Sequence, residues 1–244
     1  MVALVTRDSS DAARDSRTAE SSDSVTVVID AGHGGHDRGG IPGQRVAEKD
    51  MTLDVSQRLR NVLSASGYRV VMTRDSDVFV PLPTRVAIAN SYRNAIFVCI
   101  HFNATQRRSA GGIETYFYSR DSLPLASAIH RLVVGGAPSS NRGVRRRGYY
   151  VLRKTNIPAV LVECGFLTNP TEAAYAQTAS YREKLAEEIA AGVRGRNSVA
   201  SASFIDQTRV ARSERHSSKH SHKKSARKKR SSSKRSGAEE ASAQ

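Results

Sequence analysis

The apolar positions of this chain fall into two unlike rhythms that alternate between residues 25 and 195. Val25 to Asp30 is an unbroken, largely β-branched run, the pattern of a strand buried on both faces. From Asp50 the rhythm changes. Met51, Leu53, Val55, Leu59, Val62 and Leu63 recur mostly three or four residues apart, which predicts an amphipathic helix with Asp50 as N-cap and Gly67 just past its end. Tyr68 to Thr73 predicts a second strand, Thr84 to Tyr92 a short helix, and Ala95 to His101 a third strand. A fourth strand follows at Ile113 to Tyr118, then a helix at Leu123 to Val134, then two strands at Tyr149 to Leu152 and Ala159 to Cys164. Asn169-Pro170 reads as a cap followed by the first residue of a helix, and Tyr181 to Val193 as a last amphipathic helix. Strands regularly separated by helices predict a single α/β domain over residues 25–196. Its central sheet is largely parallel.

The two ends lack any apolar period. Residues 1–24 are mostly Ser, Asp, Arg, Ala and Thr, and residues 197–244 are Ser-rich and basic, so neither buries enough surface to offset the entropy of ordering it. Both are predicted to be disordered. Residues 205–244 hold twelve Lys/Arg against four acidic residues, a surplus of eight within a formal net charge of +15. About half the excess charge therefore belongs to a tail, which behaves as a solvated polyelectrolyte able to hold an anionic polymer or envelope surface. His216, His220 and His222 stand in that tail without fixed geometry and take no part in the chemistry. No stretch approaches the roughly 18 apolar residues of a spanning helix, and Val2 to Val5 is shorter than a signal-peptide core. Cys99 and Cys164, the two cysteines, each sit in an apolar run and read as small core residues rather than a bridge.

The candidate chemistry sits at the ends of the strand-like runs. His33 follows the first, His101 ends the third, and Glu163 lies inside Val160-Leu161-Val162-Glu163-Cys164-Gly165-Phe166. Ligands of open α/β sheets bind at the carboxyl ends of the strands. Two histidines and the carboxylate of Glu48 make a donor set suited to a catalytic zinc ion, with one coordination position left open. Each of these residues also has a plainer reading. Gly-His-Gly-Gly can be a tight turn, a histidine after a strand can be a hydrogen-bonded core residue, and Glu48 can complement a helix N-terminus. Glu163 is harder to dismiss, because a carboxylate in so apolar a run needs a partner or a raised pKa. Asp30 is a candidate for orienting His33, and Asn103 for binding substrate. His36, two glycines from His33, is a weaker candidate ligand, and Arg142 with Arg145 to Arg147 reads either as a carboxylate contact or as a solvated basic loop.

Residues 25 to about 195 resemble the zinc-dependent N-acetylmuramoyl-L-alanine amidases of the amidase-3 type. The resemblance runs in order through Val-Val-Ile-Asp-Ala-Gly-His-Gly-Gly (27–35), Glu-Lys-Asp (48–50), Gly-Tyr-Arg-Val-Val-Met-Thr-Arg (67–74) and Phe-Val-Cys-Ile-His-Phe-Asn-Ala (97–104). Arg-Gly-Val (142–144) and Pro-Ala-Val-Leu-Val-Glu-Cys-Gly-Phe-Leu-Thr-Asn-Pro (158–170) complete it. It implies a mixed, mostly parallel sheet flanked by helices on both faces, and a single zinc ion held by His33, Glu48 and His101, with Glu163 as general acid/base. The implied reaction is hydrolysis of the amide between the lactyl group of N-acetylmuramic acid and L-alanine in peptidoglycan. A zinc peptidase cutting another amide of the stem peptide is the near alternative, and a noncatalytic glycan or nucleic-acid binder the distant one. The implied substrate places the protein in the periplasm or cell envelope, with cytoplasmic recycling of wall fragments as the alternative. Some amidases of this type carry an extra helix that plugs the site until an activator removes it. The short stretch between Val134 and Arg142 leaves no room for one, so an open site is expected, and any activator or targeting partner acts by other means.

Overall fold

The computed structural model describes residues 25–196, so both predicted tails, 1–24 and 197–244, lie outside the described residues. In chain order the first elements are β1 (Thr26–Ala31), α1 (Glu48–Ala65), β2 (Arg69–Met72), α2 (Leu82–Asn90), β3 (Ala95–Asn103) and β4 (Ile113–Phe117). Then come α3 (Leu123–Gly136), β5 (Asn141–Arg146), α4 (Tyr150–Lys154), β6 (Ala159–Phe166), α5 (Pro170–Ala176) and a helix over 179–196, α6. The six strands form one sheet in the order β2-β1-β3-β6-β4-β5. Neighbours are parallel except β4, which runs antiparallel to β6. That reversal matters for function. The carboxyl ends of β1, β3 and β6 share one edge with the amino ends of β4 and β5.

Each face of the sheet buries its own cluster. Val27, Ile29, Val98, Ile100, Val160 and Val162 pack against Leu59 of α1, Ile129 of α3 and Leu185 of α6. Val28, Phe97, Cys99 and Leu161 point the other way, onto Val86 and Ala89 of α2 and Val151 and Leu152 of α4. The central strands are continuous apolar runs because both of their faces are covered. Cys99 and Cys164 are buried free thiols.

The helix ends show which local signals hold. Gly67, at φ +81°, ends α1 in a Schellman turn: Gly67 N–H donates to Ser64 O and Tyr68 N–H to Leu63 O. The Asn169 side chain accepts from the N–H groups of Thr171 and Glu172 and caps α5 as predicted. Asp50 is not the cap of α1. The helix starts two residues earlier, with Ala47 at the cap position and no side-chain capping bond. Two further expectations are corrected. Residues 149–152, read as a strand, are the cap residue Tyr149 and the first three residues of α4, since so short an apolar run has no period to distinguish strand from helix. The basic stretch at 142–147 is largely strand β5, an edge strand whose charges hide the usual apolar alternation. Residues 137–140 alone join α3 to β5.

Candidate active site

β1 delivers its functional group through a pinned turn. Gly32 N–H extends the β1–β3 pairing by donating to Ile100 O at 3.0 Å, and the chain then bends at His33, whose φ of +59° lies in the left-handed region. For a non-glycine residue that costs on the order of 1 kcal/mol. Two buried arginines hold the bend from behind. Arg74 donates from Nε to Ala31 O and from Nη2 to Gly32 O, at 2.9 and 2.8 Å. Arg85 donates to Ala31 O, to His33 O and to Asp30 Oδ1, each at 2.7 Å. The carbonyls left unpaired where the strand ends are thereby satisfied, and the His33 backbone cannot relax.

The second ligand candidate comes from α1 and the third from β3. Glu48 is the first residue of α1, where the positive end of the helix favours a carboxylate. Its Oε1 accepts from Phe102 N–H and lies 2.9 Å from His101 Nδ1. Its Oε2 lies 3.1 Å from His33 Nε2, yet both of these buried atoms lack a hydrogen-bond partner, because they are not aligned on each other. The rings of His33 and His101 stand edge to face with centroids 4.8 Å apart. One donor atom from each of His33, Glu48 and His101 lies within 4.8 Å of the others. Room for these rings comes from glycine. A Cβ on Gly32 would fall 2.4 Å from Nε2 and Cε1 of His101, and one on Gly39 would fall 2.6 Å from Glu48 Oε2.

This cluster fits a cation. Burial disfavours a charged His33 ring, but the carboxylates of Glu48 and Asp37 outweigh it and raise its pKa to about 9. Burial likewise opposes ionisation of Glu48, yet His101 and His33 bring its pKa down to about 2. A pocket that holds a proton so firmly is one where a positive charge is wanted. The orphaned Nε2 of His33 and Oε2 of Glu48 lie 3.1 Å apart, and the three residues form a group able to hold a metal ion.

Glu163 stands opposite His101 in the β3–β6 register and opposite Glu114 in the β4–β6 register. It is buried, and its Oε2 has no hydrogen-bond partner. Burial first, then the charges of Glu48 and Glu114, holds its pKa well above the usual carboxylate range. That places a carboxyl of high proton affinity beside the group able to hold a metal ion. Hollows open on both sides of His33. One, of about 400 Å³, is lined by His36, Arg38, Ile41 and Pro42; the other, of about 220 Å³, is lined by Phe79, Leu82, His101 and Tyr150.

His33, Glu48, His101 and Glu163 thus converge at one edge of the sheet, and other candidates take different places. Asp30 does not orient His33; it binds Arg85, Thr73 and the Cys99 thiol. The group that orients His33 is Asp37, whose Oδ2 lies 2.8 Å from Nδ1. His36 stacks on Phe79 with centroids 4.2 Å apart. Asn103 donates from Nδ2 to Glu114 Oε2 at 3.2 Å. Glu114 and Arg85 carry no signal in the sequence beyond a lone charge near an apolar run, and Arg74 stands only as the last residue of the 67–74 block, with no role assigned.

Comparison with known proteins extends this picture. Residues 27–195 match the Amidase_3 family, described as N-acetylmuramoyl-L-alanine amidase. The chain is similar to YqiI of Bacillus subtilis, 38% identical over 181 residues that cover 72% of this chain and 87% of that protein. It is 36% identical over 168 residues to the N-acetylmuramoyl-L-alanine amidase LytC of Bacillus subtilis, covering 67% of this chain but only 34% of LytC. Among solved structures it resembles the catalytic domain of CwlV, an N-acetylmuramoyl-L-alanine amidase from Bacillus (Paenibacillus) polymyxa. The TM-score is 0.68 and the identity 32%, over 72% of this chain and 99% of that domain.

Proposed function

This chain belongs to the amidase-3 family of N-acetylmuramoyl-L-alanine amidases, and from that membership and the geometry of its site we propose that it cleaves the bond between the lactyl group of N-acetylmuramic acid and the L-alanine of the stem peptide. The observation that carries this reading is the meeting of His33, Glu48 and His101 beside a buried Glu163 at one sheet edge. Two imidazoles and one carboxylate suit zinc better than magnesium or calcium. When bound, zinc supplies a Lewis acid that activates water and polarises the amide oxygen.

The chain's own residues do the rest. Asp37 fixes the ring of His33 through Nδ1, so Nε2 faces Glu48. Glu48 keeps one oxygen on Phe102 N–H, which sets its carboxylate plane. Glu163 takes the proton of the attacking water and passes it to the departing L-alanine nitrogen, and burial, which raises its proton affinity, favours the first of these transfers. Asn103, half-buried at the end of β3 and anchored on Glu114, is the substrate contact in this reading. The short 137–140 connection supports a site open to substrate without removal of a helix.

The substrate lies outside the cytoplasmic membrane, so we place the protein in the periplasm or cell envelope. The surplus charge of residues 205–244 supports a tether to an anionic wall or envelope polymer. No helix among the described residues is long and apolar enough to cross a membrane. The test is mass spectrometry of purified peptidoglycan after digestion. Intact stem peptides with a free L-alanine amino terminus are expected, whereas shortened stem peptides would move the assignment to a peptidase.

A further inference from the structure

Beyond Glu163, on the same face of the sheet, lies a second charged cluster, whose arginines have no part in the reaction described above. Glu114 at the start of β4 is 2% exposed. Arg142 Nε lies 3.3 Å from its Oε2 and Arg145 Nε lies 3.4 Å from its Oε1, so two guanidiniums converge on one carboxylate. Tyr116 and Asn103 also donate to Oε2, at 3.0 and 3.2 Å. Two arginines against one carboxylate leave a net positive charge at the rim of the site.

The cluster is built, and the charge is within reach of solvent. The Arg142 guanidinium packs over the Phe166 ring at 5.0 Å, and its stem fills the space left by Gly112, where a Cβ would fall 2.5 Å from Cγ. Its buried Nε makes no hydrogen bond despite the nearness of Glu114, and its Nη1 reaches Gly111 O only at 3.4 Å. Arg145 is fixed by bonds from Nε and Nη2 to Arg142 O. The side chains of Arg142 and Arg145 are 34% and 43% exposed. Such fixed, incompletely used guanidinium forks match a carboxylate.

The register says which carboxylate. Glu114 is directly opposite Glu163, and β5 is the next strand beyond β4. With strands about 4.8 Å apart, the arginines lie roughly 10 Å from the acid/base, and their side chains reach part of the way back. Two residues of extended peptide span about 7 Å. We propose that Arg142 and Arg145, held by Glu114, receive the carboxylate borne by the residue that follows L-alanine, making the enzyme selective for stem peptides in which that group is free. This inference rests on the amidase reading above.

The test uses the full zinc-loaded chain and two synthetic N-acetylmuramoyl-L-alanyl peptides, identical except that the carboxyl on the residue after L-alanine is free in one and amidated in the other. The native protein is expected to prefer the free acid by roughly ten- to a hundredfold in kcat/KM, the worth of a charge-assisted contact. In Arg145→Gln, and separately in Arg142→Lys, that ratio falls toward one. A ratio near one in the native protein, or a ratio unchanged in both variants whatever their absolute rates, overturns the inference and leaves the amidase reading standing. Failure of the native protein to cleave either compound overturns both. Because the readout is a ratio within each variant, a merely structural loss lowers both rates and does not imitate the effect.

Discussion

Asp37 Oδ2 lies 2.8 Å from Nδ1 of His33, which leaves Nε2 of the same ring turned toward Glu48. A carboxylate on the far nitrogen of a ligating histidine fixes its tautomer and makes the near nitrogen a better donor. Asp37→Ala is expected to lower zinc affinity by about 10- to 100-fold, measured by competition with a chromogenic chelator. Unchanged affinity would mean that His33 is held well enough by its backbone, through Arg74 and Arg85.

Gly32 tests the packing beneath the second imidazole. Its carbonyl accepts from Arg74 Nη2 and Thr52 Oγ1, so the backbone is not free to retreat. With an added Cβ only 2.4 Å from the His101 ring, Gly32→Ala must displace that ring. Zinc content and turnover should fall together while far-ultraviolet circular dichroism keeps its helical signal. A variant with native zinc content and activity would show that the ring has more freedom than its contacts imply.

Asp30 contributes to the pH dependence of stability. Burial raises its pKa, but Arg85 and the hydrogen bonds from Cys99 and Thr73 outweigh burial and hold it below the ordinary value. A depressed folded pKa means stability that is complete above about pH 4, the unfolded value, and lost as pH falls through the lower folded one. In chelator-treated protein, the urea stability difference between native and Asp30→Asn should be constant from pH 5 to 7 and shrink below about pH 4. Removing one partner of a buried pair costs about 3–5 kcal/mol, so the difference is large enough to follow. A difference independent of pH would show that the pair contributes by shape alone.

Much of this site is legible in the chain, and the reason is local. His33 and His101 each follow an apolar run that can only be a buried strand, so their place at the sheet edge comes from pattern. Glu163 is conspicuous because nothing else in its run is polar. Asp37 was hidden, since an acidic residue in a glycine-rich turn has an ordinary role there, and Asp30 looked the better partner for His33 by adjacency alone. The arginines were hidden for a different reason. Arg74 and Arg85 act through main-chain carbonyls far away in sequence, and β5 reads as a basic loop because an edge strand need bury little. Its partnership with β4 depends on the antiparallel turn of β4 against β6, which no local period reports.

The central claim is that metal holding and proton transfer are separate tasks of adjacent residues. The most direct measurement takes the native chain and Glu163→Gln, strips each with a chelator, restores zinc, and records both bound zinc and release of L-alanine amino termini from purified peptidoglycan. Both proteins are expected to retain a single zinc ion, with native activity lost on stripping and regained with the metal. The Glu163→Gln protein should be slower by at least about a hundredfold with the metal still in place. Native-like turnover in that variant, loss of zinc along with its activity, or a native enzyme that works after stripping would contradict the account.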